Sequence, residues 1–296
     1  MIEVTGVGDV SGEVGVTSGA RRKAPLGLDA YDMIARLCPA LLLVVPLSTA
    51  VHLLAVQLGW QLWLGLLGGL ISGCGLSFLA AQWVGDRGRE WERRWIAAEG
   101  ALPSVAMLRH RDGRVCAQLK ARYHMLLQAN VPGIRLPTPD EEAADPEAAD
   151  DQYAAACAWL KARARRGKDI TLVARHLRAY GFRRNLMALR PTMLLLDAAL
   201  VATSIALLAA SRRMSLPAPW QAVAELGPAV AYIALIHGLA TALILKKAWV
   251  RHGAEAYARS LLEECDSLPN PTKSRRGRNA SSPRCMARSS ASLSTR

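Results

Sequence analysis

Between Leu62 and Val84 the chain runs through 23 residues without a charge, and Gly65, Gly69, Gly73, Ser77 and Ala81 recur along it at every fourth position. About 20 mostly apolar residues suffice for a helix to cross the hydrocarbon of a bilayer. A small residue at each fourth position gives that helix a flat face that a neighbour can approach closely. Three further apolar runs, roughly 37–58, 192–211 and 226–245, have similar length. Buried helices of a large soluble domain are usually shorter and keep a charged edge. The pattern therefore predicts an all-α integral membrane protein with four spans.

Only Gly59, Trp60 and Gln61 separate the first two runs, so they must form an antiparallel hairpin. Basic residues bracket this pair (Arg21, Arg22, Lys23 and Arg36 before it; Arg87, Arg89, Arg93 and Arg94 after it), while its tip is uncharged. The second pair repeats the arrangement, with Arg183, Arg184 and Arg190 before it and Lys246, Lys247 and Arg251 after it, although Arg212 and Arg213 sit in its outer loop. By the positive-inside bias both termini and the intervening segment face the cytosol. The same bias accounts for the net charge of +13 without a nucleic-acid partner. The organisation expected is a disordered tail (1–30), a first hairpin (31–84), a cytosolic helical domain (85–190), a second hairpin (191–246), a cytosolic helical extension (247–264) and a disordered basic tail (265–296). The first apolar run begins too far from the start for a signal peptide.

Within 85–190 the apolar spacing is helical. Glu90 to Ala98 prolongs the second span with Trp91 and Trp95 on one face. Val115, Leu119, Tyr123 and Leu126 form a second stripe, Tyr153, Cys157, Leu160 and Ala164 a third, and Ile170, Val173, Leu177 and Tyr180 a fourth. Acids from Asp140 to Asp151 precede bases from Lys161 to Lys168, which suits a helix dipole. Val250, Ala254, Tyr257 and Leu261 continue a helical face after the last span.

Motifs for catalysis are absent: there is no P-loop, no HExxH, no GxSxG elbow and no GxGxxG dinucleotide turn. The six cysteines show neither a CxxC pair nor metal-ligand spacing and read as small apolar residues or free thiols. The expectation is a non-enzymatic protein with no catalytic residues, no metal and no cofactor. Three residue groups remain as candidates. Asp197 lies about 7 Å inside the cytosolic end of the third span and His237 about 12 Å inside the fourth. Intramembrane ionisable groups are functional candidates by default, so the two can pair if their helices are neighbours, or Asp197 can pair with Arg190 or Arg184 near the headgroups. Arg175, Arg178, Arg183 and Arg184 can bind anionic lipid, or form a pocket for a phosphate-bearing ligand with Gly181 as a hinge. The small-residue face of the second span serves packing within one chain or self-association into a closed ring. A second charged cluster, Arg109, His110 and Arg111 near Asp112, reads as a solvated helix end or a ligand site.

The segments Leu136-Pro137-Thr138-Pro139-Asp140-Glu141-Glu142-Ala143-Ala144-Asp145-Pro146 and Tyr180-Gly181-Phe182-Arg183-Arg184-Asn185-Leu186, with Arg190-Pro191 ahead of a span, resemble those of a group of uncharacterised bacterial four-pass membrane proteins. The likeness covers the middle domain and its junctions. It implies a bacterial inner-membrane location and this architecture, and it implies no activity. The arrangement of two hairpins around a helical domain is similar, more loosely, to membrane effectors of phage defence. The functional expectation is a membrane effector or channel-like homo-oligomer gated by a signal, a nucleotide among the candidates, bound in the cytosolic domain. The alternative is a membrane-anchored scaffold that recruits a cytosolic protein.

Overall fold

A computed structural model of the chain describes residues 30–59, 76–165 and 172–269, and every regular element among them is helical. Three helices are long and apolar enough to cross a membrane: Met33–Gln57, Leu172–Arg213 and Trp220–Ile244. They turn large apolar side chains outward, with Leu195, Ile205, Leu235 and Leu239 each at least 58% exposed. Water would penalise such faces and lipid does not, so a multi-pass membrane protein follows. The run expected to form the second span lies mostly outside the described residues, as do Gly65, Gly69 and Gly73 and the side chain of Ser77. The face ends on Ala81, which is fully buried.

The first spanning segment starts as a single turn, Ala30–Asp32, passes through a π-helical turn, Met33–Leu37, and continues as α1 (Cys38–Gln57). Helix α2 (Leu76–Glu99) runs without interruption out of the apolar region into the polar one, as the Trp91 and Trp95 spacing predicts, and those two rings stack at 5.7 Å. Short helices α3 (Pro103–Ala106), α4 (Ala117–Asn130), α5 (Pro139–Ala144) and α6 (Pro146–Ala164) follow. Helix α7 (Leu172–Arg213) is one continuous rod of 42 residues, about 63 Å at 1.5 Å per residue. Helices α8 (Ala218–Ile244) and α9 (Lys247–Glu263) complete the chain, with a 3₁₀ turn at Glu264–Ser267.

The acidic run is divided by helix caps. Thr138 and Glu141 form a reciprocal capping box at α5, and Asp145 accepts from the Ala148 amide at the start of α6. Lys161 and Arg163 occupy the last turn of α6, opposite in sign to Glu147 in its first.

Two apolar clusters organise the polar half. One gathers Met107, Leu108, Leu127, Tyr153, Leu160 and Leu261, so α9 closes the core of the middle domain. The other joins Val84 and Trp95 of α2, Leu189 and Met193 of α7, and Val250 of α9.

Three expectations need correction. The boundary at 190/191 falls inside α7, whose helical domain half and spanning half are one element. Gly181 is interior to that helix and buried, not a hinge between helices. The segment from Cys265 is not disordered at its start: Cys265 is fully buried and Leu268 is 5% exposed, both in the domain core. Amphipathic spacing fixes which face of α9 is apolar; what that face covers is a tertiary matter.

Candidate functional site

The stretch Tyr180-Gly181-Phe182-Arg183-Arg184-Asn185 is where α7 meets the start of the first span, α2 and α9. Pro39 has no N–H to give the Ala35 carbonyl its usual helical bond, and Asn185 Nδ2 supplies the donor instead at 2.6 Å. Asn185 is fully buried, and its Oδ1 accepts from Arg184 Nε and Nη2 at 3.2 and 3.1 Å. On α2, a Cβ placed on Gly88 would lie 1.7 Å from that Oδ1, so only glycine permits this crossing. Gly181 plays the same part toward the first span: a Cβ there would meet the Tyr31 hydroxyl at 2.7 Å.

The two arginines of the stretch point to different helices. Arg184 Nη1 donates to Glu92 of α2 at 2.8 Å, and the Tyr180 hydroxyl donates to the other oxygen of the same carboxylate. Arg183 Nη1 donates to the Trp249 carbonyl of α9 at 3.1 Å and lies over the Trp249 ring at 5.1 Å, while Phe182 packs edge-on to that ring. Tyr180 stacks on Tyr257 of α9 at 6.2 Å.

A cavity of about 160 Å³ adjoins this crossing, walled by Glu92, Lys161, Arg165, Tyr180, Arg184 and Tyr257. The side chains of Lys161 and Arg165, at the end of α6, have no hydrogen-bond or ion-pair partner among the described residues. With Arg184 they place three cations against the single carboxylate of Glu92. Burial pushes the Tyr257 phenol up to about 12, so the wall carries no further negative charge at neutral pH. Such a cavity suits a small anion.

In the membrane region, His237 Nδ1 of α8 lies 2.9 and 3.0 Å from the two carboxylate oxygens of Asp197 on α7, whose residue is 4% exposed. Arg190 and Arg184 are not its partners. The two helices approach closely because α8 presents small residues, Ala224, Gly227, Ala234, Gly238 and Thr241, on one side. A Cβ on Gly238 would meet Asp197 Oδ2 at 3.2 Å, and one on Gly227 would meet the Ser204 carbonyl at 3.2 Å. That seam is spaced in threes, fours and a seven, less regular than the every-fourth-residue stripe of the second apolar run, and it was not singled out from the sequence.

The four arginines expected to act together are dispersed. Arg175 is exposed, Arg178 is half-buried, and Arg183 and Arg184 are engaged in helix–helix contacts. Only Arg184 lines the junction cavity. Nothing local in the chain marks Lys161, Arg165 and Glu92 as its companions, because they come from other helices.

The second charged cluster is structural. Arg109 grips Asp150 with two bonds of 2.7 and 2.5 Å, and the amides of His110 and Arg111 donate to the buried Glu142, which also accepts from Tyr153 at 2.8 Å. Buried Lys120 donates to the carbonyls of Arg109 and Asp112, fixing the same loop. Cys157 and Cys265 sit in the apolar core, where burial pushes their thiols up to about 11 and about 12. Among the described residues no group of His, Cys, Asp and Glu is arranged to hold a metal. No protein-family model, no curated protein and no solved structure matches this chain.

Proposed function

We propose that this chain is a four-pass protein of the bacterial cytoplasmic membrane, with both termini cytosolic, that works as a non-enzymatic, channel-like effector opened by a signal bound in its cytosolic helical domain. The observation that carries the reading is the Glu92–Arg184 pair. It ties α2 to α7, the two helices that run without a break between the helical domain and the apolar region, and it forms part of the junction cavity wall.

An anion drawn to Lys161 and Arg165 competes with Glu92 for Arg184. Loosening that pair changes the crossing at Gly88 and Asn185 and so the angle at which α2 leaves the membrane. For this to act as a switch, the ligand must bind the altered crossing more tightly than the resting one. Nucleotides, inorganic phosphate and other small phosphate esters are the candidate signals. Several copies closing a ring would supply the pore, with the small-residue face of the second span between them.

The test is ion flux from liposomes containing the intact protein, with nucleoside mono-, di- and triphosphates and inorganic phosphate added in turn. Flux raised by one of them, and lost in Lys161→Gln/Arg165→Gln, supports the reading. Liposomes that stay sealed under all of them count against it.

The second reading, a membrane-anchored scaffold, is favoured by ion pairs that hold the middle domain together and tie it to α9 and the turn after it, Arg109–Asp150, Arg114–Glu255 and Arg122–Asp266. Such a domain is a rigid surface before any ligand arrives. Sealed liposomes together with a stoichiometric cytosolic protein co-purifying with the intact chain would favour it.

A further inference from the structure

A second cavity, about 400 Å³, opens between α2 and α7 nearer the apolar region. Its polar wall is Arg87 and Arg94 of α2 and Arg190 of α7, and its apolar wall is Trp91, Met187 and Leu194. Arg190 ends the polar half of α7 and Pro191 begins its apolar half, so the cavity lies at headgroup depth if α7 crosses the bilayer there.

The charges in it are unbalanced. Glu90 is the one acid of the lining, and it is already held by Arg94 at 2.9 Å and by Arg93. Arg87 has no ion-pair partner among the described residues and stacks over Trp83 at 5.5 Å. Arg190 is the more telling residue. Its Nε is buried without a hydrogen-bond partner among the described residues, and its Nη2 reaches only the Ala242 carbonyl at 3.5 Å. A buried guanidinium N–H left unpaired is costly, and a charged acceptor is what best relieves it.

We propose that this cavity binds the phosphate of an anionic phospholipid. The phosphate oxygens accept from Arg190 and Arg87 in the planar, two-pronged manner that guanidinium favours. The glycerol and first methylenes lie against Met187 and Leu194, continuous with the apolar surface of α7. The site is distinct from the junction cavity and does not rest on the gating reading. A free phosphate ester shares the headgroup chemistry but has nothing to place on the apolar wall.

The experiment uses the intact protein in a zwitterionic detergent, titrated with dioleoyl phosphatidylglycerol, dioleoyl phosphatidylcholine or water-soluble glycerol phosphate, with bound lipid read by native mass spectrometry and thermal unfolding read in parallel. Phosphatidylglycerol is expected to bind with one-site stoichiometry and raise the unfolding temperature, while the other two do neither. Arg87→Gln and Arg190→Gln should each weaken phosphatidylglycerol binding roughly fivefold, the effect of one basic residue at an anionic surface. Arg87 is exposed, so its variant reports even if Arg190→Gln fails to fold. Equal binding of phosphatidylcholine, an equal effect of glycerol phosphate, or undiminished phosphatidylglycerol binding by Arg87→Gln would overturn the proposal.

Discussion

Asn185 shows how much one side chain can hold. It satisfies the carbonyl that Pro39 leaves open, receives Arg184, and sits against Gly88, an α2 position that lacks a side chain. Asn185→Ala should cost about 1–3 kcal/mol, the usual penalty for a buried polar group left unpaired, read as a lower unfolding temperature in detergent. Gly88→Ala should be worse than an ordinary helix substitution because its methyl collides with Asn185. The double variant removes the collision, so the two losses should fall short of adding, with a coupling of about 0.5–3 kcal/mol for such neighbours. Strict additivity would mean that the two residues do not touch. At Glu142, burial alone would raise the carboxyl's pKa, but bonds from the His110 amide, the Tyr153 hydroxyl and the Arg111 amide outweigh it and hold it below the usual range. A lowered carboxyl pKa contributes stability above its unfolded value and loses it as the pH falls through the folded one. Burial lowers the His124 pKa as well, so the folded ring resists the proton that the unfolded ring takes below about pH 6.5. Acidification should therefore lower the unfolding temperature in two stages, the first setting in below about pH 6.5 and the second below about pH 4.5. His124→Gln should abolish only the first; a parent protein that lacks the first stage would contradict the His124 assignment, and one that lacks the second the Glu142 assignment.

Among elements, three of the four long apolar runs and the helical stripes were legible because a helix needs only its own sequence to decide which face is apolar; the other run lies mostly outside the described residues. Tyr153, Cys157 and Leu160 form one such face and are all buried. The sequence marked Asp197 and His237 as intramembrane polar groups but left the partner of Asp197 open between His237 and Arg190 or Arg184; the contact between α7 and α8 decides for His237. What the sequence did not reveal was the use made of Arg183 and Arg184. Adjacent arginines before a span look like lipid contacts until α2 and α9 are in place, and nothing local announces Glu92 or the Trp249 carbonyl. The ends of elements were hidden for the same reason: the joining of the domain and span halves of α7, and the burial of Cys265, depend on partners from elsewhere. For the α7–α8 pair, Asp197→Ala should cost about 1 kcal/mol, typical of a hydrogen bond between membrane helices, and Asp197→Ala/His237→Ala should cost no more than the single change. Unfolding in detergent checks both, and a double variant that loses about twice as much would show that the residues act separately.

Across the whole molecule, the helical domain and the apolar region are not two bodies joined by linkers. Helices α2 and α7 belong to both, and α9 returns after the last span to close the core begun by α4 and α6. A disturbance in the domain therefore reaches the apolar helices through packed, mostly glycine-permitted crossings. Under the proposed function, Glu92–Arg184 is the link between the junction cavity and the apolar helices. Its most direct test is the membrane potential of bacteria expressing the intact chain, compared with Glu92→Gln at matched membrane levels and confirmed folding. The proposed gating predicts that the intact chain depolarises the cells under a condition that supplies the signal and that Glu92→Gln alters the depolarisation. Identical depolarisation by the two chains, or an unchanged potential with normal growth in every condition, would contradict it.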